Sequence, residues 1–429
     1  MDQIIIIADD LTGACDSGIK FRNAGFETLV LTDVSEEDVQ AAGRCAIVSI
    51  NTNTRSALPE DARRRVEKLL RVMQKDKERL YYKKVDSVLR GNVADELEAC
   101  LQQLEPDFAL IAPAFPASGR RMKHGRIYPV ADQNPDLAID AEQIVSQTGR
   151  RCAQIPLETV ARGAGVIMEE AERLYREGAE LLLADCWEEA DLAEIAKAAH
   201  RFGRRCIPVG SAGLAEQLAA CMAKENATCG AAALPQLSQN DKILIAIGSR
   251  HPAMLEQMQT LKKRCPLDTY LIAVDGLTEE NLEARMQALL ARLDERRAED
   301  KNDLLLTTES IYAGASSEMK LLCENDFNQA ILDALGIGAA RIAQSEPVRC
   351  LIAAGGDAAN EILRRLRLNR IELLLEPSPG IVVGRASGSD GRTLLLATKS
   401  GGFGKPETLL ELYRYFTARK QAGLKGEVV

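Results

Sequence analysis

The chain lacks a basic surplus: 54 Lys and Arg stand against 63 Asp and Glu, a net charge of -9, with no stretch that concentrates cations. Such a balance opposes a polyanionic partner, so nucleic acid is not an expected ligand. Its eleven cysteines are scattered singly (Cys15, Cys45, Cys100, Cys152, Cys186, Cys206 and onward), with no CxxC pair and no histidine at a zinc-like interval. A reducing compartment follows from that pattern, and Cys15 reads as a small buried residue. The three histidines, His124, His200 and His251, are too far apart to propose a triad or metal cluster. The N-terminal apolar run is only four isoleucines, preceded by an acid, which predicts neither a signal peptide nor a membrane helix and places the protein in the cytoplasm. No GxxxxGK followed by Ser or Thr occurs, which excludes the Walker class. No GxGxxG follows the first strand of either half, which disfavours a dinucleotide enzyme.

What is present suits a large globular protein. The 429 residues, 46% hydrophobic and 27% charged, exceed what one core organises and predict two domains. Short Ile/Val/Leu runs alternate with segments of helical periodicity, the pattern of parallel sheets covered by helices. Strands are predicted at 4–7, 28–31, 46–50, 80–85, 108–112, 181–184 and 206–209, and again at 242–247, 269–274, 303–307, 349–354, 371–375 and 393–398. Helices are predicted at 60–73, 93–104, 191–202 and 358–367. The small and polar stretch 223–241 reads as a linker between a first domain, 1–222, and a second, 242–429. No repeat of 20 to 50 residues relates the halves.

Polar segments recur at predicted strand ends, the edge where open α/β sheets bind ligands. Asp9 and Asp10 follow the first strand, and Thr12 and Gly13 follow them, opening a helix. Two adjacent carboxylates repel unless a cation, hydroxyl or amide uses them, although Asp10 or Thr12 could simply cap that helix. Arg55 ends the segment that begins at Asn51. Lys84, Asp86, Ser87 and Arg90 offer both charge signs and a hydroxyl, equipment for a hydroxy-acid or for an internal ion-pair cluster. Pro113 to Arg120, stiffened by two prolines, forms either a pocket wall with Arg120 or Arg121 pointing in, or a rigid turn. Gly210 to Gly213 suits a phosphate contact or a helix cap. In the second half, glycine turns at Gly248-Ser249, at Gly355-Gly356-Asp357-Ala358 and at Ser400-Gly401-Gly402 together predict a nucleotide cradle built from backbone amides.

These segments resemble the four-carbon acid sugar kinase family, long catalogued as a domain of unknown function. ADDLTGA (8–14), DSVLRGN (86–92), PAFPASGR (113–120), GSAGLA (210–215), GGDAAN (355–360) and KSGGFG (399–404) occur in the family's order and span the chain. ADDLTGA is most similar to the D-threonate and D-erythronate kinases; the 3-oxo-tetronate kinases tend to carry Phe where Leu11 stands. The resemblance implies two three-layer Rossmann-like α/β domains with largely parallel sheets and an active site in the cleft between them. ATP, with Mg²⁺, would phosphorylate the terminal O4 hydroxyl of the acid. It assigns substrate contacts to Asp9, Arg55, Lys84, Asp86, Ser87 and Arg90, catalysis to Asp9, Asp10 or Asp86, and ATP contacts to Ser249, Gly355, Gly356, Asp357, Ala358 and Gly401. Asp357 is its candidate second-half Mg²⁺ ligand, and no metal ligand is certain. Val88 and Ala358 stand where the family more often has Thr. The expected mechanism has Arg55 and Lys84 on the substrate carboxylate, an Asp taking the O4 proton, and closure about 223–241. Rival expectations are a 3-oxo-tetronate 4-kinase, an NAD-dependent sugar-acid dehydrogenase and a two-lobed binding protein. The oligomeric state is left open, a homodimer included.

Overall fold

The computed structural model describes residues 3–32, 34, 38, 42–43, 45–73, 79–129, 135–226, 234–273, 277, 279–295, 302–313 and 325–422. The chain divides into two compact units, Met1–Ala231 and Ala232–Val429. Of the predicted linker and hinge, residues 227–233 lie outside the described residues.

The strands of the first unit are β1 (Gln3–Ala8), β2 (Thr28–Leu31), β3 (Ile47–Asn51), β4 (Arg79–Lys84), β5 (Phe108–Ala112), β6 (Arg121–Lys123), β7 (Arg126–Tyr128), β8 (Ile139–Asp140), β9 (Cys152–Ile155), β10 (Leu181–Ala184) and β11 (Cys206–Gly210). Eight of them lie in the order β2-β3-β1-β4-β11-β5-β10-β9, each neighbouring pair parallel. The strands β3, β5, β10 and β11 are buried along their whole length, and in β1 Ile4 to Ile7 are at most 2% exposed, so strands such as β1, β5 and β10 read as continuous apolar runs. A small antiparallel sheet, β6-β7-β8, turns at His124 and Gly125, both at positive φ.

β1 is central, with β3 on one side and β4 on the other, which makes it the point where the strand order reverses. Its register brings Ala8 level with Asn51 and with Lys84. The three strands therefore end flush, and Asp9, Thr52 and Val85 leave the sheet side by side.

The second unit holds β12 (Lys242–Ile247), β13 (Leu267–Ile272), β14 (Asp303–Thr308), β15 (Val348–Ala354), β16 (Arg370–Ser378), β17 (Ile381–Ser387) and β18 (Thr393–Lys399), in the order β13-β14-β12-β15-β18-β17-β16. The first five strands of that order are parallel and the last two join antiparallel. Ile247 lies level with Ala354, and Ala354 with Lys399, so Gly248, Gly355 and Ser400 emerge together. The expected helices form at Pro59–Met73, Val93–Leu104, Glu189–Phe202 and Gly356–Leu366. The last begins two residues before its predicted start because Gly355, at φ +108, turns the chain straight from strand into helix.

Candidate active site

At the flush end of the first sheet, Asp10 has extended backbone and caps the helix Leu11–Asn23, its Oδ1 accepting from Gly13 N at 2.8 Å. Arg55 reaches across from the segment after β3. Its Nε and Nη2 donate to the two oxygens of Asp9 at 2.7 and 2.8 Å, and its Nη1 donates to Asp10 Oδ2. One guanidinium thus holds both neighbouring carboxylates and offsets part of their repulsion. The Arg55 segment is itself pinned: Thr54 N and Arg55 N donate to Asp9 O, and Asn92 Nδ2 donates to the Thr54 and Ala57 carbonyls.

Burial works against the charged form of both acids. For Asp9 the Arg55 guanidinium, together with the charges of Lys83 and Lys84, outweighs it and holds the carboxyl below its usual range. For Asp10 burial prevails, reinforced by the charge of Asp9, and the carboxyl is held above it. The two nearly identical residues are therefore electrostatically unequal.

After β4, Asp86 is also buried, yet both its oxygens accept from Arg90, at 3.0 and 2.6 Å, and Oδ1 accepts from Val88 N. Those bonds and the Arg90 charge overcome burial and keep its carboxyl well below the carboxylate range. Ser87 accepts from Arg120 Nη1 at 3.0 Å. Lys84 is 6% exposed and makes no side-chain hydrogen bond or ion pair among the described residues. Its Nζ lies 2.8 Å from where a Cβ on Gly13 would stand, beside the N-terminus of the helix Asp10 caps. Its charge also acts on Asp9 and Asp10 and favours the ionised form of both.

Beneath this cluster lies a pair that the sequence reading missed. Lys83 Nζ is 2.8 Å from Glu96 Oε2, both side chains 1% exposed, and it also donates to the Ile7 and Lys84 carbonyls. The signal available was a KK dipeptide at a strand end, where alternation sends one lysine to each face. At the 210–213 turn, left open between phosphate contact and cap, Ser211 Oγ accepts from Gly213 N at the start of the helix Ala212–Asn226, and the glycines permit close packing: a Cβ on Gly210 would stand 2.8 Å from Ala112 O, and one on Gly213 2.8 Å from Phe115 Cδ2.

In the second unit the glycine turns converge on Ser249. A Cβ on Gly401 would fall 2.0 Å from Ser249 Oγ, and one on Gly355 3.2 Å from Ser249 N. Gly248 admits Ala358, whose Cβ would be 2.5 Å from a Cβ placed there. Ser249, Gly355, Ala358 and Gly401 are thus brought into one small region, with Gly356 and the exposed Asp357 opening the helix beside them. Sequence reasoning also missed Lys399. Its buried Nζ donates to Ser400 O at 3.0 Å and Phe403 O at 2.7 Å, so it holds the 400–403 turn from below, and burial lowers its pKa to about 8. Gln257 Nε2 donates to the same Phe403 carbonyl. Among the described residues no group of three or more His, Cys, Asp or Glu could hold a metal ion.

One α/β unit thus ends in a polar, charge-rich cluster and the other in converging glycine turns, and comparison with known proteins identifies the chain as a kinase. Residues 4–218 match a sugar-binding N-terminal domain and residues 244–409 a nucleotide-binding C-terminal domain. The chain belongs to the four-carbon acid sugar kinase family. It is 28% identical to the D-threonate kinase of Bordetella bronchiseptica, over 97% of this chain and 98% of that one. It is 25% identical to the D-erythronate kinase of Heliobacterium modesticaldum, over 98% of each. The 3-oxo-tetronate kinase of Pseudomonas fluorescens is 26% identical, with 93% of each chain covered. Among solved structures, a Salmonella typhimurium LT2 protein shares the fold at a TM-score of 0.75, 22% identity and coverage of 97% of this chain and 100% of that one.

Proposed function

We propose that the protein uses ATP and Mg²⁺ to phosphorylate the O4 hydroxyl of a four-carbon sugar acid, D-threonate or D-erythronate, giving the 4-phosphate and ADP. The observation that carries this reading is the pair of flush strand ends: one presents Asp9, Asp10 and Asp86 with a buried lysine beside the first two, the other glycine turns closing on a serine. A small hydroxylated anion suits the first and a polyphosphate the second. Full-length likeness to the D-threonate and D-erythronate kinases supports the acid. A 3-oxo-tetronate remains the second reading, supported by the likeness to kinases of that name.

In this account residues 1–222 bind the acid and 242–429 the nucleotide. Phosphoryl transfer asks mainly for positioning and charge neutralisation. Lys84 attracts the acid's carboxylate. Ser87 and Asp86, the latter held by Arg90, hydrogen-bond its hydroxyls. Arg55 fixes Asp9 and Asp10 in place and keeps Asp9 charged, which revises its expected role as a direct carboxylate clamp. Asp10, the more basic of the pair, takes the O4 proton, a contribution of roughly 10²–10⁴ in rate. Backbone amides at Gly355, Gly356, Ala358 and Gly401, with the Ser249 hydroxyl, cradle the phosphates. Bound Mg²⁺ would neutralise phosphate charge, and its preference for phosphate oxygens and waters fits a cradle that offers one carboxylate, Asp357.

Incubation with ATP and D-threonate should yield ADP and a phosphate ester whose ³¹P signal couples to the C4 methylene protons. Coupling to a methine proton, or reduction of NAD without ADP formation, would contradict the proposal.

A further inference from the structure

The loop from Pro113 to Arg120 offered two arginines to the site, and the structure separates them. The short helical turn Pro116–Ser118 and Gly119, at φ +80, bend the chain back on itself. Phe115 and Arg120 then exchange backbone hydrogen bonds, at 2.9 and 3.1 Å. With its base closed, the loop sends consecutive side chains to opposite faces. Arg121 lies over the Trp187 ring, 5.3 Å from its centroid, in a group completed by Tyr128. Arg120 points the other way and donates to Ser87 Oγ, beside Asp86.

Apart from Lys84, the other cations near Arg120 are already engaged. Arg55 is engaged by Asp9 and Asp10, Arg90 by Asp86, and Lys83 by Glu96. Arg120 has its Ser87 bond and no ion pair among the described residues, so four of its five N–H donors remain for another acceptor. Lys84 is the other cation here without an ion pair, but an ammonium is a point charge, whereas a guanidinium fork matches the two oxygens of a carboxylate.

Resting on the sugar-acid kinase reading, we propose that Arg120 is a specificity-determining residue: its guanidinium, oriented by Ser87, binds the substrate carboxylate in fork geometry and selects acids over neutral polyols. Lys84 adds charge from the side of the Leu11–Asn23 helix.

The test compares wild type, R120M, R120K and S87A on the preferred acid and on its uncharged amide, as substrate or as competitive inhibitor, with a thermal melt of each variant. R120M should raise KM for the acid on the order of 10- to 100-fold, the worth of a hydrogen bond to a charged group. Its kcat and its KM for ATP should stay within a few fold. Affinity for the amide should hardly change, so the preference for acid over amide collapses. R120K should recover part of that preference, restoring the charge without the fork, and S87A should lose a smaller part. If well-folded R120M and R120K kept the wild-type preference, or if acid and amide weakened together, Arg120 would not read the carboxylate. A wild-type enzyme that phosphorylates no sugar acid would instead remove the function underneath, and the assignment with it.

Discussion

Replacing Asp10 by asparagine separates two tasks that one side chain performs. Asp10 caps the helix Leu11–Asn23 through a 2.8 Å bond from Gly13 N, and asparagine is as good an N-cap as aspartate. D10N should therefore keep the cap, whereas D10A should lose about 1 kcal/mol of stability with it. Charge and basicity are what asparagine removes. Arg55 retains its two-pronged grip on Asp9, but the amide nitrogen that replaces Oδ2 cannot accept from Arg55 Nη1, so D10N should lose the roughly 1.5–3 kcal/mol of a hydrogen bond to a charged group, less the relief of repulsion between Asp9 and Asp10. Turnover is another matter. Loss of a general base costs roughly 10²–10⁴ in rate, or about 2.7 to 5.4 kcal/mol of barrier. Burial and Asp9 raise the Asp10 carboxyl, so wild-type kcat should fall as pH drops through that raised value, and D10N should lack this acid limb. The assay is coupled ADP release at saturating ATP and acid, with a thermal melt of each variant. A D10N enzyme that is well folded and turns over within a few fold of wild type would refute the assignment and return the role to Asp9 or Asp86.

Lys399 gives the nucleotide side a pH signature. Phosphate charge favours its ammonium form, and burial lowers its pKa to about 8, so KM for ATP should rise as pH climbs through that value. K399R, charged throughout, should flatten the rise in initial-rate measurements; an equal rise in both enzymes would assign it elsewhere. Its stability contribution runs the other way: the unfolded chain keeps this proton up to the ordinary value of 10.5, so the contribution grows as pH rises from about 8 to 10.5 and is lost as pH falls through 8. The Lys83–Glu96 pair should be costly to break and cheap to remove. K83M leaves a buried carboxylate without its cation, a loss on the order of 3–5 kcal/mol, whereas K83M/E96L should recover most of it in denaturant unfolding. Equal stability of the single and double variants would show that the pair is not coupled.

The buried parallel strands were plain in the sequence because both faces are covered: the isoleucines of β1 and the leucines of β10 carry no alternation to misread. β17 was not among the expected strands, since Gly384 interrupts its apolar run. The Pro379-Gly380 turn that folds β17 back antiparallel was the available sign. At the site, the strand-end residues were legible because a parallel sheet delivers them to one edge. Their pairing was not. Arg55 meets Asp9 and Asp10 from more than forty positions away, Arg120 meets Ser87 from thirty-three, and such partners depend on register and loop closure rather than on local pattern. The inequality of Asp9 and Asp10 depends on burial and on one guanidinium, quantities that adjacency in sequence does not carry.

The most direct measurement is ADP release by the purified protein with ATP and Mg²⁺ over D-threonate, D-erythronate, L-threonate, their 3-oxo relatives and D-glycerate. The account predicts acid-dependent ADP release, fastest with D-threonate or D-erythronate and abolished without ATP. Release that is indifferent to the acid, or absent with every four-carbon acid while NAD is reduced instead, would contradict it.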